Sequence, residues 1–520
     1  MSSLTHKASV PILLTSVFII AICSILYELL ISSISAYFLG SSIFHFSITI
    51  GFFLSAMGLG AFLSKYIGDE YLLENFIWFE LWLGIIGGLS GVVLYFGYAF
   101  TQNYYLLAFS LITTIGTLVG LEIPLLTRII KAHFNLKDTL AQVLSFDYLG
   151  ALFASILFPV VLLPYFGLLR TSFFVGLLNL AICLFNLWIF RKQIKGFLRT
   201  FIIASIATVV YIIGFWGGLG VQNYLEQFLY NDEIIFNTQS AYQRIVVTRD
   251  APDVRLYLNG NLQFSSQDEH RYHEPLVHFP LALSNQREKI LFLGAGDGLA
   301  ARELLKYSTI KEIHVVDLDS MMTNLARKHP LFLNLNEGAL NHKKIKIFNQ
   351  DAYKFLENNK EIYDVIIIDL PDPSEVSLGK LYSKEFYHLV KKRLARDGAM
   401  ITQSASPFFT KNAFWCIYHT LQEIFPTVLP ITVHVPSFGQ WGFNMAMPHT
   451  TFDKKESIER IEKFLFEKNK NIYLKYLNKE TVGSLFVFDE DLKESKTEIN
   501  TLDTQKLVQY YEKSWEAYNR

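Results

Sequence analysis

Hydrophobic positions along the chain fall into three regimes. Through about residue 220, apolar residues run in stretches long enough to cross a bilayer, which takes roughly 20 residues of helix. Seven qualify, at about 9–34, 41–64, 76–100, 104–127, 142–165, 171–190 and 200–220. Residues 233–264 instead alternate polar and apolar, in "RIVVTRD" and "VRLYLNGNLQF", with Asn259-Gly260 as a hairpin signal. From Lys289 onward, short apolar runs ("KILFLG", "EIHVVDLD", "KIKIFNQD", "YDVIIIDLPDP", "GAMITQS") alternate with amphipathic helical segments. Near-continuous apolar strands of this kind belong to a parallel sheet covered on both faces. The pattern predicts a multi-span α-helical membrane domain over 1–220. It is followed by a small antiparallel β domain over 221–285, a Rossmann-like, methyltransferase-type doubly wound α/β domain over 286–450, and a charged helical extension over 451–520.

Charge supports the first boundary. Of the 93 Asp, Glu, Lys and Arg residues, 18 precede Gly220 and 75 follow it, which marks a change of solvent. The first apolar stretch is too long, and too closely followed by others, for a cleavable signal peptide. Lys7, Lys65, Arg128, Lys131, Lys137, Arg191, Lys192, Lys195 and Arg199 lie in one set of inter-span loops; the other set carries only Arg170. Basic loops favour the cytoplasm, so the N-terminus is expected there. Seven crossings would then put the C-terminal half outside. The nucleoside chemistry below belongs in the cytoplasm, and we expect a multi-pass inner-membrane protein with a cytoplasmic catalytic domain, against that count. Glu28, Glu80, Glu122 and Asp147 fall within or near apolar runs, where a carboxylate is costly and suggests a polar pathway or a contact between helices. The net charge of -1 gives no sign of a nucleic-acid partner, and the isolated Cys23, Cys183 and Cys416 imply neither a disulfide framework nor a metal site.

The chemistry sits at strand ends, where parallel sheets bind ligands. Gly294-Ala295-Gly296-Asp297-Gly298 is a tight turn into a helix. Asp317 ends the second run, placed for ribose hydroxyls, and Asp351 follows the third, placed for an adenine amino group. Three acids at successive strand ends repel phosphate, so they favour an adenosylmethionine-type nucleoside over NAD. Asp369 and Asp372, three apart in a proline-stiffened loop, suit a cationic amine that must lose a proton before it attacks.

Residues from about Gln239 to Met447, roughly two fifths of the chain, resemble a spermidine synthase, of the aminopropyltransferase family. The matching blocks are "QSAYQRIVV", "LNGNLQFSSQDEHRYHEPLVHFPL", "LFLGAGDGLAARELLK", "HVVDLD", "NQDAYKFL", "DVIIIDLPDP", "LYSKEFYHLVKKRL" and "PSFGQWGF". The membrane half, with "YELL", "GLEIPLLTR" and "DYLGALFAS", resembles that of membrane-anchored bacterial members. The resemblance implies transfer of an aminopropyl group from decarboxylated S-adenosylmethionine, a co-substrate, to putrescine or a related amine, with no cofactor. It implies Asp369 as catalytic residue, Gln243, Asp297, Asp317, Asp351 and Ala352 as donor contacts, and His273, Glu274 and Asp372 as amine contacts. The chain departs from the family at Asp317 (usually Glu), at Asn259 (usually Asp), after Pro373, where a Gly-Pro pair is missing, and at Gln403-Ser404-Ala405 (commonly Gln-Gly-Glu). Several of these changes sit on the acceptor side, so the acceptor is the least determined part. Rival readings are an S-adenosylmethionine methyltransferase, whose donor carboxylate Asp297 would repel, and a polyamine transporter or sensor. The expected partners are the polyamine and the lipid bilayer; the oligomeric state is open, a homodimer included.

Overall fold

The computed structural model describes residues 9–39, 42–101, 103–131, 136–449 and 451–518. The chain divides into two compact units, residues 1–235 and 236–520.

Among the described residues the first unit is a helical bundle: α1 (Ser9–Leu39), α2 (Ser42–Leu63), α3 (Leu72–Phe100), α4 (Tyr104–Lys131), α5 (Leu136–Leu157), α6 (Leu163–Ile189) and α7 (Phe197–Gln227). Among the described residues six segments are long and apolar enough to cross a membrane, which is compatible with membrane anchoring; the fifth, Lys137–Ile189, has 53 residues and covers two of the seven expected spans. Gly150 of α5 packs on Phe18 and Ala21 of α1, while Asn186 of α6 bonds Ser16 of the same helix. In a straight helix residues 150 and 186 would stand ~54 Å apart. The segment therefore folds back on itself. Its backbone leaves helical geometry at Gly167 (φ 71°, ψ −175°), a conformation open to glycine alone.

Helices in lipid gain little from apolar burial and pack through small residues. A Cβ on Gly60 would lie 2.1 Å from the Thr117 carbonyl oxygen, and one on Gly120 2.1 Å from that of Met57, so α2 and α4 meet backbone to backbone. Arg128 donates to the carbonyls of Ser64 and Ile67 and pairs with Asp69. Lys195 and Arg199 lie over Tyr71 and Trp78. These contacts gather the basic loops at one end of the bundle. Arg170 packs beside Gly218 at the other end, by which the chain leaves. Of the four carboxylates in apolar runs, Glu80 and Glu122 are fully buried; among the described residues no hydrogen-bond partner reaches any of their carboxylate oxygens, and Asp147 lies nearby.

The second unit opens with a sheet in sequential order, β1 (Glu233–Gln239), β2 (Arg244–Asp250), β3 (Asp253–Leu258) and β4 (Asn261–Ser265). Asn259 and Gly260 turn β3 into β4 with positive φ at both, as the pair predicts. Helix α8 (Glu269–Leu283) leads into the main sheet. Along the chain come β5 (Lys289–Gly294), α9 (Leu299–Leu305), β6 (Glu312–Val316), α10 (Ser320–Lys328), α11 (Pro330–Leu335), β7 (Ile345–Phe348), α12 (Ala352–Asn358) and β8 (Tyr363–Asp369). Then follow α13 (Val376–Gly379), α14 (Lys384–Arg393), β9 (Leu394–Gln403), α15 (Lys411–Gln422), β10 (Thr427–Val435) and β11 (Gly439–Met447). The five expected apolar runs are β5 to β9, paired in parallel. The strand order β10-β11-β9-β8-β5-β6-β7 adds an antiparallel pair that the apolar runs did not predict. Because β5 lies between β6 and β8, chain connections diverge to either side of it and leave a crevice at the strands' carboxyl ends. Beyond the sheet, α16 (Lys454–Glu462) and α17 (Lys479–Ser484) are joined by irregular chain to α18 (Lys506–Tyr518).

Candidate active site

Three turns converge at the carboxyl ends of β5, β6 and β8. Gly294 has φ 91°, and a Cβ there would lie 1.8 Å from the Asp369 carbonyl oxygen, so only glycine lets these strand ends meet. A Cβ on Gly296 would lie 2.5 Å from Asp317 Oδ2. The turn thereby gathers Asp297, Asp317 and Asp369 into one electrostatic neighbourhood. Asp297 Oδ1 accepts the Leu299 N–H at 2.9 Å, and Asp317 Oδ1 accepts the Asp319 N–H at 2.8 Å. Burial raises the Asp297 carboxyl and pushes those of Asp317 and Asp369 up to about 6. For Asp369 the charge on His273 and the Tyr272 hydroxyl, which donates to Oδ1 at 2.5 Å, oppose a further rise.

Helix α8 supplies the cation of this site. Burial alone would lower the His273 imidazole, but Glu269 bonds Nδ1 at 2.8 Å and lifts it to about 9, so the ring is charged at neutral pH. Glu269 in turn, despite its burial, is held near 2 by His273 and by Arg302, whose Nη2 lies 2.8 Å from Oε1. Glu274, expected beside the amine, is engaged elsewhere. Its carboxylate accepts the N–H groups of Lys475, Tyr476 and Leu477 at 2.6, 3.1 and 2.9 Å and fixes the C-terminal extension to α8. Consecutive helical residues point about 100° apart, and Tyr272 and His273 already occupy the face toward the crevice.

The other expected residues are distributed around this centre. Gln243 Nε2 donates to Asp319 Oδ2 at 2.9 Å, and Asp319 caps α10. Asp351 caps α12, of which Ala352 is the first residue; although partly buried, its carboxyl is held below the usual range by the Lys380 ammonium at 2.8 Å. Asp372, beyond the end of β8, is raised to about 6 by burial. Gln403 Nε2 donates to its Oδ1 at 3.3 Å, and the Tyr511 hydroxyl to its Oδ2 at 2.9 Å. Tyr272, Gln403 as a side-chain donor, and Tyr511 were missed in the sequence. For Tyr272 the signal was there: it neighbours His273 on an acid-rich helix start. A potential metal cluster was also unforeseen: ligand atoms of Glu312, His314 and Glu361 lie within 4.8 Å of one another. Lys289 pairs with both carboxylates and Tyr363 bonds His314, so the cluster is internally compensated. Because Glu274 serves the extension, Glu274→Gln is expected to lower stability by about 1–3 kcal/mol, through donor-to-donor conflict at the Lys475–Leu477 amides. Thermal unfolding measures this, and the amine KM of the folded enzyme is expected to be unchanged.

Residues 269–457 match the Spermine/spermidine synthase domain family. The chain is 42 % identical to a polyamine aminopropyltransferase of Leptospira interrogans over 96 % of its own length and 98 % of that protein's. It is 40 % identical to the Oceanobacillus iheyensis protein of the same name, over 96 % of each. A spermidine synthase crystal structure from Thermotoga maritima is 26 % identical and aligns with TM-score 0.45, over 50 % of this chain and 87 % of that one. With near-complete coverage by the curated relatives, the helical N-terminal half included, the chain belongs to the polyamine aminopropyltransferase family and is a transferase of the spermidine synthase type.

Proposed function

We propose that this crevice aligns decarboxylated S-adenosylmethionine with a diamine such as putrescine, and that Asp369 takes the proton from the attacking nitrogen. The observation that carries this reading is the position of Asp369 beside the glycine turn, bonded by Tyr272 and facing the His273 charge. Asp317 takes the ribose hydroxyls; Asp351, with Ala352, takes the adenine edge; Asp297 faces the cationic aminopropyl arm; Gln243 holds Asp319 in place beneath them. Asp372 binds the far ammonium of the diamine. The nitrogen lone pair attacks the carbon beside the sulfonium, the C–S bond breaks toward sulfur, and neutral methylthioadenosine leaves without needing a proton. The crevice is rich in carboxylates, so it favours both cationic substrates and loses electrostatic hold on the product once the sulfonium charge is gone. The same carboxylates disfavour the carboxylate of S-adenosylmethionine, which supports the aminopropyl donor over a methyl donor.

Purified protein given labelled donor and putrescine is expected to form labelled spermidine with methylthioadenosine. Asp369→Asn is expected to lose at least about 100-fold in turnover and to keep methylthioadenosine binding, whereas Asp372→Asn acts mainly on amine KM. Near-normal turnover of Asp369→Asn at saturating amine would overturn the assignment.

The pH profile gives a second test. The base works ionised, so turnover is expected to fall as pH drops through about 6, the value set by burial of Asp369. Tyr272→Phe removes a donor that favours the ionised form, so the acid limb is expected to move to higher pH. A limb that stays in place excludes Asp369 as its source.

Supply of a nucleoside made in the cytoplasm supports a cytoplasmic catalytic unit. With seven crossings this requires the basic end of the bundle to face outward, against the usual charge bias. A reporter fused after Arg520 is expected to be active only in the cytoplasm; activity only on the far side would reverse the placement.

A further inference from the structure

Helix α18 lies beyond the part of the chain matched by the synthase domain family, which ends at residue 457, yet it reaches the amine side of the crevice. Its start is fixed. Leu507 and Val508 are buried, the Leu507 N–H donates to Asn500 Oδ1, and Asn500 Nδ2 donates to the Gly379 carbonyl just after the Asp369–Asp372 loop. From this base the helix presents Tyr511 and Trp515. The Tyr511 and Trp515 rings meet edge to face, centroids 6.3 Å apart, and the Tyr511 hydroxyl donates to Asp372 Oδ2 at 2.9 Å. Trp515 also stacks on Phe409, ring centroids 5.8 Å apart and planes 10° apart. Phe409 belongs to the segment after β9, the segment where the chain lacks the acid common in the family.

We propose that α18 is the acceptor-recognition element of this enzyme: Tyr511 is a positioning residue that orients the Asp372 carboxylate toward the far ammonium of the diamine, and Trp515 with Phe409 forms the aromatic wall that limits its length. The inference rests on the reading of Asp372 as the amine contact. Its chemistry is consistent with a diamine acceptor. A carboxylate held by two donors, Gln403 on Oδ1 and Tyr511 on Oδ2, keeps free lone pairs in a fixed direction, and aromatic faces attract alkylammonium groups.

The test compares Tyr511→Phe, Trp515→Phe and Asp372→Asn in the full-length enzyme, each checked by thermal unfolding and methylthioadenosine titration. Diamines of three, four and five carbons serve as acceptors. Tyr511→Phe removes a hydrogen bond to a charged group, so amine KM is expected to rise about tenfold, with kcat changed less than KM and methylthioadenosine affinity unchanged. The preference among the three diamines is expected to flatten. Trp515→Phe is expected to act in the same direction and more weakly. If Asp372→Asn raises amine KM while both aromatic variants leave KM and the length preference untouched, α18 is only structural and the proposal fails. If Asp372→Asn itself leaves KM unchanged, the amine does not sit at Asp372, and the underlying reading falls together with the proposal.

Discussion

A single buried cation makes the arrangement at the strand ends tenable. His273 is almost fully enclosed, and an imidazolium so placed would lose its proton without a partner. Glu269 prevents that, and Arg302 prevents Glu269 from becoming an unpaired buried anion. The alternation continues outward: Arg302 also meets Glu303, and Glu303 meets Lys306 and bonds the His278 ring. The crevice carboxylates therefore rest on a ladder of compensated charge running from α8 to α9. Removing one rung from such a buried network costs more than the pair contributed, because its neighbour is left uncompensated.

Above that ladder, the carboxylates keep a different balance. Asp351 and Asp319 have local partners: an ammonium and a helix start for one, Gln243 and a helix start for the other. Asp317 and Asp369 accept neutral donors and carry raised affinity for protons. On the reading proposed above, the cationic substrates supply the compensation that His273 leaves incomplete. On that reading substrate binding completes the electrostatic arrangement, a form of preorganisation, since little has to rotate when the cations arrive.

Much of this was legible in the sequence because it is local. The Asn259-Gly260 turn, the glycine turn at Gly294–Gly298 and the strand-end acids are each set by a few adjacent residues whose geometry has few alternatives. Two kinds of feature escaped. The face a helical residue presents depends on what the helix packs against, so His273 and Glu274 looked like one functional pair although their side chains diverge. Contacts between distant segments leave no periodic trace: Tyr511 lies 139 residues from Asp372, and nothing around either residue announces the other. The antiparallel β10–β11 pair escaped for a related reason. Its membership of the sheet is decided by β9, to which β11 pairs from Met400 to Gln403. In the bundle, composition located the seven apolar stretches, but only the contacts of α1 with both α5 and α6 established that the segment containing Gly167 doubles back.

The tie between Glu274 and the backbone of residues 475–477 has a consequence for biosynthesis. Chains emerge from the ribosome N-terminus first and domains generally fold in that order, so the helical bundle and the glycine turn exist before the extension does. Until residues 475–477 have been made, Glu274 has no partner for a buried carboxylate, and α8, which carries both Tyr272 and His273, lacks one of its fixed points. The anchoring of α8 is therefore a late event in the life of each molecule, completed after the apolar helices have left the translation machinery, and an interrupted translation product would carry the complete glycine turn with α8 unanchored at Glu274.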